Sequence, residues 1–467
     1  MSVLWTSDDA VAATGGRATR AFEVNGVSID TRTIQPGDLF VALQAARDGH
    51  DFVAQALEKG AGAALVSRVP DGVGDDAPLL IVDDVLGALE RLGAAARARV
   101  RGKVVAVTGS VGKTSTKEML RAMLAPQGAT HAAEASYNNH WGVPLTLARM
   151  PADTDFAVIE IGMNHPGEIG PLARLARPDV AMITTIAPAH LAAFDDISGI
   201  AREKSAIFEG LVDGGAAVFH GDLETTPILA DAWNGTALSF GEGDANSVRV
   251  DDIRLLDGDA TARVTVDGAA YPVRLSTSGR HFLTNAAGCL AVAQLLGVDM
   301  TRAAADLSRW DPPSGRGARG TVQLPLGGTL DLIDDAFNAN PTSMSAALEV
   351  LAAARPEGSG RRVAILGDML ELGEDERAIH AGLAALPWFA TIDVVHTVGP
   401  LMSGLHNALA PKTAGVHVET AEEMRSMLGT LVVSGDIVLV KGSKGSKVSV
   451  LVDAIRQLGQ PLPDKKL

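Results

Sequence analysis

The sequence predicts an α/β protein built of three domains, and three observations support that prediction. Short β-branched runs alternate with helix-like segments along most of the 467 residues, which is typical of parallel sheets covered by helices. A chain of this length is too long for one ordinary core. Helix-breaking residues at Asp311–Gly317 interrupt the pattern. We therefore expect domains at residues 1–100, 101–314 and 315–467.

The first block mixes short strands with helices and predicts a small α/β domain. Strands are expected at three apolar runs: Asp38–Leu43, Ala63–Ser67 and Leu79–Val82. Helical spacing covers Phe52–Lys59, and the Ala/Arg-rich stretch Val85–Arg99 predicts a helix that leads out of the block.

The second block predicts a parallel sheet followed by an antiparallel meander. The parallel strands are expected at Val104–Thr108, Phe156–Ile161 and Val180–Ile186. Residues Val248–Leu275 alternate in polarity and contain two Asp-Gly turn signals, which favour a meander. The segment His281–Leu296 returns to helix.

The third block repeats a strand-then-helix pattern four times, which is typical of a small doubly wound domain. Its strands are expected near Val363–Leu366, Val394–Val398, Val416–Val418 and Ile437–Val440.

Composition limits the classes of function. A formal net charge of −16 argues against a nucleic-acid surface, because phosphate contacts need clustered Lys and Arg. Cys289 is the lone cysteine and cannot form an internal disulfide, which fits a reducing cytosol. No apolar run is long enough to span a bilayer and the first residues carry no signal pattern. We expect a cytoplasmic protein without membrane insertion.

A glycine-rich loop stands where the strand Val104–Thr108 gives way to a helix. It consists of Gly109, Ser110, Val111, Gly112, Lys113, Thr114 and Ser115. Glycines let the backbone approach phosphate, and free N–H groups at the helix start point towards it. Lys113 supplies a cation for the β- and γ-phosphates, and the Thr114 hydroxyl can bind Mg²⁺. The loop predicts ATP binding, although only two residues separate its glycines where the common motif has four.

Two further residues are candidate metal ligands. Glu160 ends one apolar run and His190 follows another, so both are expected at the sheet edge that presents Lys113 and Thr114. Imidazole is an unusual ligand for Mg²⁺. From spacing alone, a strand-end carboxylate and a helix-capping histidine are equally good interpretations.

The motifs of all three blocks resemble those of the muramyl ligase family. They are Ser28–Arg32, Pro36–Leu43, Asp48–Phe52, Thr108–Thr114, Tyr137–Leu145, Glu160–Ile169, Ala189–Leu191, Asp334–Pro341, Leu366–Gly373 and Lys441–Lys444. The short phosphate loop is similar to the one in that family. The Asn338–Pro341 and Gly367–Gly373 runs resemble the member that joins D-alanyl-D-alanine to UDP-N-acetylmuramoyl-tripeptide.

The resemblance implies a domain for the UDP substrate, a central ATP-binding domain and a C-terminal acceptor domain. It also implies a reaction in which the tripeptide carboxylate attacks the γ-phosphate of ATP and the dipeptide amine then attacks the resulting acyl phosphate. Two Mg²⁺ ions are implied, one near Thr114 and Glu160 and one near Glu160 and His190. The implied catalytic residues are Lys113, Glu160, His190 and Lys204.

Lys204 matches the lysine that is carbamylated in the family. A carbamate derived from CO₂ would convert a cation that repels Mg²⁺ into an anion that orients or ligates it. From the residue alone, a solvent-exposed helix lysine is the simpler interpretation.

The resemblance also implies binding residues. Those for the nucleotide are Asn285 on the adenine side, Arg316 at the γ-phosphate and Asp335 at the ribose or the adjoining loop; from the residues alone they are a capping Asn, a linker Arg and a turn Asp. Those for the other substrates are Thr31, Arg32, Asn138, Asn139, Asn338, Asn340 and Ser443.

The chain departs from the family pattern at Thr185, Ser205-Ala206 and Phe337, where the family has Asn, a Gly-Glu pair and Tyr.

Two other functions stay open: a sister amide ligase with a different acceptor, and a phosphate-loop regulator that hydrolyses ATP to change shape. Because domain closure completes the site within one chain, we expect a monomer.

Overall fold

The computed structural model describes residues 3–74, 76–188, 193–194, 196–325 and 327–458. Within these residues there are three large sheets, one in each sequence block, and one two-stranded ribbon. The predicted α/β class with three sheet-centred units is confirmed. The exact limits of the three domains remain predictions.

The first block forms a five-stranded sheet in the order β2-β7-β6-β5-β4, as far as its described residues go. Strand β2 runs antiparallel to β7 and the other pairs are parallel. Its elements are β1 Trp5–Thr6, α1 Ser7–Thr14, β2 Arg17–Ala18, β3 Glu23–Val24, β4 Gly26–Ser28, β5 Asp38–Val41, α2 Val53–Glu58, β6 Ala63–Val66, β7 Leu79–Ile81 and α3 Val85–Arg99.

The second block forms a nine-stranded sheet within its described residues, in the order β16-β15-β14-β13-β12-β11-β8-β10-β9. Its elements are β8 Lys103–Thr108, α4 Lys113–Leu124, β9 Thr130–Ala132, α5 Gly142–Ala148, β10 Phe156–Glu160, α6 Ile169–Ala176, β11 Val180–Ile183, α7 Ile197–Ser205, β12 Ala216–His220, α8 Thr226–Asp231, β13 Thr236–Gly241, β14 Val248–Leu255, β15 Ala260–Val266, β16 Ala269–Leu275, α9 Arg280–Leu296 and α10 Met300–Asp306.

The core lies on both faces of this sheet because alternate strand residues point to opposite faces. In β8, Val105 and Val107 pack into a cluster with α4 and α9, whereas Val104 and Ala106 pack into a second cluster with α5 and α6. Cys289 is buried in the first of these clusters.

The predicted meander is confirmed as strands β14, β15 and β16, which pair antiparallel. Its second turn has Asp267 at φ 48° and Gly268 at φ 77°. Positive φ at both central residues is the requirement of a tight hairpin turn, and Asp-Gly meets it at low steric cost.

The third block forms a six-stranded sheet among its described residues, in the order β17-β18-β22-β19-β20-β21. Its elements are β17 Ala318–Gln323, β18 Thr329–Asp335, α11 Pro341–Ala353, β19 Arg362–Gly367, α12 Glu376–Gly382, β20 Val394–Val398, α13 Ser403–Ala408, β21 Ala414–Val418, α14 Ala421–Leu431, β22 Ile437–Lys441 and α15 Ser449–Gln457. Short 3₁₀ helices cover Gly49–Phe52, Ala206–Gly210, Leu307–Arg309, Leu383–Ala385, Pro387–Ala390 and Lys444–Ser446.

The four predicted strands of the third block are present and parallel to their neighbours. The antiparallel hairpin of β17 and β18 was not predicted. Polar and glycine residues dominate β17 because it is an edge strand with most of its residues exposed or half-buried, so the sequence lacks an apolar run there.

Three neighbouring strands bring the candidate site together. Strand β8 pairs with β10 on one side and with β11 on the other, all in parallel. The carboxyl ends of these strands lead into Gly109, Ile161 and Thr184, so the phosphate loop and Glu160 share one sheet edge. No helix in the described part of the chain combines the length and apolar character needed to cross a membrane.

Candidate active site

Both glycines of the phosphate loop are required by its shape. Gly109 has φ 150° and Gly112 has φ 88°. A Cβ on Gly109 would lie 1.9 Å from the Thr184 hydroxyl oxygen, and a Cβ on Gly112 would lie 2.8 Å from the Asn285 amide nitrogen. The short spacing therefore corresponds to a tight loop that is pressed between β11 and α9.

The loop is anchored to the neighbouring strand end by three hydrogen bonds. The Thr184 hydroxyl donates to the Val111 carbonyl (2.6 Å), and Ser110 N–H donates to the Thr185 carbonyl (2.8 Å). Ala187 N–H donates to the Ser110 hydroxyl (3.0 Å). Since Thr185 contributes its backbone carbonyl, the departure from the family pattern leaves this anchor intact. Thr184 was not predicted as a site residue, because a threonine at a strand end carries no distinctive sequence signal.

The start of helix α4 points into the cavity beside this loop. Among the described residues no side chain caps it, which leaves the first N–H groups of Lys113, Thr114 and Ser115 available to an anion. Lys113 donates from Nζ to the Gly109 carbonyl (2.7 Å). Burial lowers the pKa of Lys113 to about 8, against the opposing effect of the Glu160 carboxylate.

Glu160 is buried with one unpaired oxygen. Its side chain is 1% exposed. Oε1 accepts hydrogen bonds from the Asn138 amide (2.7 Å) and the Thr114 hydroxyl (3.2 Å), and Thr114 also lies 2.9 Å from the Ser136 hydroxyl. Oε2 has no hydrogen-bond partner within the described residues.

An unpaired buried carboxylate oxygen is costly unless a cation compensates it. The donor set of a carboxylate and a hydroxyl suits a hard divalent ion such as Mg²⁺. These residues therefore fit the predicted ion near Thr114 and Glu160. His190 lies outside the described residues, and within those residues no cluster of three His, Cys, Asp or Glu side chains forms a metal site.

Lys204 is buried, not solvent-exposed. It lies on α7 with 1% of its surface exposed, so the interpretation as a solvated helix lysine is wrong. Burial, followed by the repulsion of the Lys113 cation, holds the pKa of Lys204 well below its usual value. Both causes favour the neutral amine over the ammonium form.

A cavity beside the phosphate loop is lined by both the second and the third block. It brings Val111, Gly112 and Thr114 together with the predicted nucleotide residues Asn285, Arg316 and Asp335. Its remaining lining includes residues of α9 and α11 that sequence reasoning missed, namely His281, Phe282, Thr284, Thr342, Ala346, Ala347 and Val350. These residues are mostly apolar or uncharged and show no motif in the sequence.

Asp335 is held by Lys441 in this cavity. Lys441 is buried and donates from Nζ to the Asp335 carboxylate (2.7 Å) and to the Asn338 carbonyl (2.9 Å). Burial raises the pKa of Asp335, while the Lys441 cation opposes that shift. Lys441 thereby links Asp335 to the loop after β18, and both predicted roles of Asp335 stay predictions.

A second cavity lies on the other side of the phosphate loop. It is lined by Lys113, Thr114 and Glu160 and by Asn138, Asn139, Arg316 and Asn338. Arg316 and Asn338 therefore face both cavities. The Arg316 guanidinium carbon lies 5.1 Å from the centre of the Phe337 ring, and Lys444 Nζ lies 5.1 Å from the same centre.

A third cavity is formed mainly by the first block. Thr31 and Arg32 line it, and His140 and Trp141 of the second block close one side. The Thr31 hydroxyl donates to the Gln55 side-chain oxygen (2.9 Å), and Arg32 pairs with Asp30 (2.5 Å). His140 lines both this cavity and the one that contains Glu160, so the two are adjacent.

Asn340 and Ser443 are not among the lining residues of these three cavities. The Asn340 side chain accepts from Ser343 N–H (2.8 Å) and caps helix α11. The Ser443 hydroxyl accepts from Leu370 N–H (3.0 Å). Both side chains support local loops, and their predicted contact with substrate stays a prediction.

Comparison with known proteins places these features in a family. Three family models match the chain: "Mur ligase family, catalytic domain" at residues 23–99, "Mur ligase middle domain" at 107–293 and "Mur ligase, glutamate ligase domain" at 322–444. The UDP-N-acetylmuramoyl-tripeptide–D-alanyl-D-alanine ligase of Bacillus subtilis is 34% identical over 92% of both chains.

Solved structures agree with this comparison. A crystal structure of MurF from Acinetobacter baumannii superposes with a TM-score of 0.83 at 31% identity, covering 97% of this chain and 99% of that one. MurF ligase from Thermotoga maritima, solved in complex with ADP, gives a TM-score of 0.76 at 26% identity and covers 93% and 98% of the two chains.

Proposed function

We propose a function from one premise: the chain belongs to the Mur ligase family. It is the ATP-dependent ligase that joins D-alanyl-D-alanine to UDP-N-acetylmuramoyl-tripeptide in peptidoglycan precursor synthesis. The relatives that carry this activity in their names match the chain over most of its length. The products are the extended UDP-linked peptide, ADP and phosphate.

The observation that carries the proposal is the cleft at the phosphate loop. Lys113 and Glu160 reach it from the second block, and Arg316 reaches it from the third. Transfer of a γ-phosphoryl group needs alignment and charge compensation more than a covalent nucleophile. Two cations, a helix N-terminus and an unpaired buried carboxylate oxygen supply those requirements in one place.

In the first step an oxygen of the tripeptide carboxylate attacks the γ-phosphorus of ATP and ADP leaves. Lys113 and the N–H groups at the start of α4 hold the phosphates, and Arg316 offsets the charge that develops on the transferred group. In the second step the dipeptide amine attacks the acyl carbon, and phosphate leaves with the electron pair of the broken C–O bond.

Thr114 and Glu160 would hold a Mg²⁺ ion, and His190 with Glu160 a second one. Such ions compensate phosphate charge and align the reacting oxygens. The Glu160 carboxylate suits this role because its Oε2 is buried without a protein partner in the described residues. Asn138 keeps the carboxylate oriented through its hydrogen bond to Oε1.

Lys204 carries a carbamate in this proposal. Only a neutral amine reacts with CO₂, and burial beside Lys113 favours the neutral form by lowering the Lys204 pKa. The product is an anion next to the Lys113 cation, so the modification replaces a repulsion with an attraction.

We assign binding places to the substrates from the positions of the three cavities. The UDP group occupies the first-block cavity at Thr31 and Arg32, and the peptide passes His140 towards Glu160. Asn138 and Asn139 hold the peptide, and the ATP adenine lies near Asn285. The dipeptide enters from the third block near Asn338. Since both walls of the cleft come from one chain, a cytoplasmic monomer suffices for the reaction.

An acceptor-dependent assay tests the proposal. We expect phosphate release from ATP only when UDP-N-acetylmuramoyl-tripeptide and D-alanyl-D-alanine are both present, with the ligated product detected by mass spectrometry. Release that needs no acceptor would support the regulator instead, and product formation with another amine in a screen of acceptors would support a sister ligase.

A further inference from the structure

The loop between β10 and α6 presents a histidine to the reaction cavity. His165 lines the same cavity as Lys113, Glu160 and Arg316, and its side chain is 75% exposed. The loop belongs to the Glu160–Ile169 motif, of which the proposed reaction uses only Glu160. An exposed imidazole beside the phosphoryl-transfer groups is accessible to a second substrate.

A carboxylate of the same loop faces the imidazole. Glu168 Oε1 lies 3.5 Å from His165 Nδ1, and Glu168 Oε2 accepts from the backbone N–H groups of Asn164 (2.7 Å) and His165 (3.3 Å). Burial acts to raise the pKa of the Glu168 carboxyl, but these hydrogen bonds outweigh it and lower the pKa. The lowered pKa favours the ionised carboxylate next to Nδ1, and Nε2 has no hydrogen-bond partner within the described part of the chain.

The loop is also tied to the helix that carries Lys204. Glu203 of α7 accepts hydrogen bonds from Gly167 N–H (2.8 Å) and Ile169 N–H (3.0 Å). These contacts tie the loop that carries His165 to α7. The ionisable groups that line the cavity together with His165 are Glu168, Lys113, Glu160, Arg316 and His140, and Glu203 contacts the backbone of the same loop.

We propose that His165 accepts a proton from the amine of the second substrate, and that Glu168 is the residue that positions its imidazole. The inference rests on the proposed ligase function. A carboxylate that orients one ring nitrogen while the other faces the reacting group is an arrangement that recurs in enzymes with a histidine base.

The attack of the amine requires such a proton acceptor. An α-amino group has a pKa of about 8 and is mostly an ammonium ion at neutral pH, so it cannot attack. Nε2 takes one proton from the ammonium ion, and the neutral amine forms the C–N bond to the acyl phosphate. The bond between the acyl carbon and the bridging oxygen breaks, and the departing phosphate keeps that oxygen and the electron pair and takes the second amine proton. The imidazolium then returns its proton to water at its exposed edge.

The decisive experiment compares two nucleophiles in the complete protein. With ATP and the UDP-tripeptide, D-alanyl-D-alanine must be deprotonated, whereas hydroxylamine is already uncharged and traps the acyl phosphate as a hydroxamate. We expect His165→Gln to lower the rate of amide formation with the dipeptide by about 100-fold and to leave hydroxamate formation unchanged. Glu168→Gln should give a smaller loss with the same selectivity.

The pH dependence supplies a second readout. In the native protein the amine loses its proton within the complex, so amide formation should depend only weakly on pH around neutrality. In His165→Gln the rate should rise with pH up to the pKa of the amine itself, about 8. His417→Gln is the matched control, because this histidine also lies near a carboxylate, with Nε2 3.7 Å from Glu419 Oε1, but lines none of the three cavities described above; its profile should keep the native shape.

Each outcome has a distinct meaning. An equal loss with both nucleophiles, or no loss with the dipeptide, would overturn the role of His165 while native amide formation still upholds the ligase. If the native protein makes hydroxamate but no amide with the dipeptide, the proposed acceptor itself is wrong.

Discussion

The two walls of the cleft hold their functional groups in different ways. On the second block, Glu160 is buried and fixed by Asn138, and the phosphate loop is fixed by Thr184. On the third block, Arg316 rests on the ring of Phe337, which is 40% exposed. The difference indicates that one wall is preorganised for phosphate and the proposed metal, whereas on the other the Arg316 side chain lies against a partly exposed ring and reaches the site from a glycine-flanked loop.

The glycines on either side of Arg316 support this contrast. Gly315 has φ 74° and Gly317 has φ 94°, values that other residues rarely adopt. A Cβ on Gly315 would lie 2.9 Å from the Phe337 Cβ. The segment that carries Arg316 therefore turns tightly at both ends, and it lies within the predicted breaker segment Asp311–Gly317. We expect substitutions on the preorganised wall to be the more damaging ones.

The largest effect is expected for Lys113→Ala. Loss of the buried ammonium removes charge compensation from the transferred phosphoryl group, and we expect kcat to fall by about 1,000-fold or more. Steady-state phosphate release in the presence of both acceptors measures this. A loss below tenfold would contradict the interpretation that this wall is preorganised, provided that thermal unfolding shows an intact fold.

Lys204→Ala comes next. We expect a loss of about 100-fold or more, because the proposed carbamate would position charge at the metal site. Short carboxylic acids added to this variant should restore part of the rate, while added amines should not. Full activity of Lys204→Ala without an added carboxylic acid would show that Lys204 does not have the proposed role.

Arg316→Lys should have an intermediate effect. Lysine keeps the charge but cannot form a planar, two-pronged contact with phosphate oxygens. We expect kcat to fall by about 10- to 100-fold with little change in the UDP-substrate KM. A kcat equal to that of the native protein would show that the third block contributes only general charge.

The smallest effect is expected for Phe337→Leu. The exposed ring supports Arg316 and Lys444 by cation–π contacts, each worth about 0.5–1 kcal/mol. We therefore expect a two- to fivefold change in activity, since about 1.4 kcal/mol corresponds to a factor of ten. Phe337→Tyr should stay close to the native rate. A large loss in Phe337→Leu would mean that this wall is as rigid as the other.

Much of the fold follows from local sequence patterns. The strands of the parallel sheets are continuous apolar runs because both faces are covered, and the Asp-Gly turns mark the meander. The hairpin of β17 and β18 could not be predicted in the same way. Its edge strand is rich in Arg, Gly and Thr, and its pairing depends on a partner strand that only tertiary structure reveals.

The candidate site also contains residues that local sequence patterns predict and residues that only tertiary contacts reveal. Residues within motifs, such as Lys113, Thr114 and Glu160, converge as the parallel topology predicts. Thr184 and Lys441 were missed as participants, because a buried hydroxyl and a buried ion pair acquire meaning only from their neighbours. The burial of Lys204 likewise depends on packing around α7 and cannot be seen in the helix sequence. His190 lies outside the described residues, so its place beside Glu160 stays a prediction.

The central claim is that the phosphoryl group moves from ATP onto the peptide carboxylate. The most direct test uses UDP-N-acetylmuramoyl-tripeptide with ¹⁸O in its terminal carboxylate, together with ATP and D-alanyl-D-alanine. Mass spectrometry of the released phosphate should show one oxygen derived from the carboxylate for each amide bond formed. Phosphate without the label, released while the amide product accumulates, would contradict the acyl phosphate route.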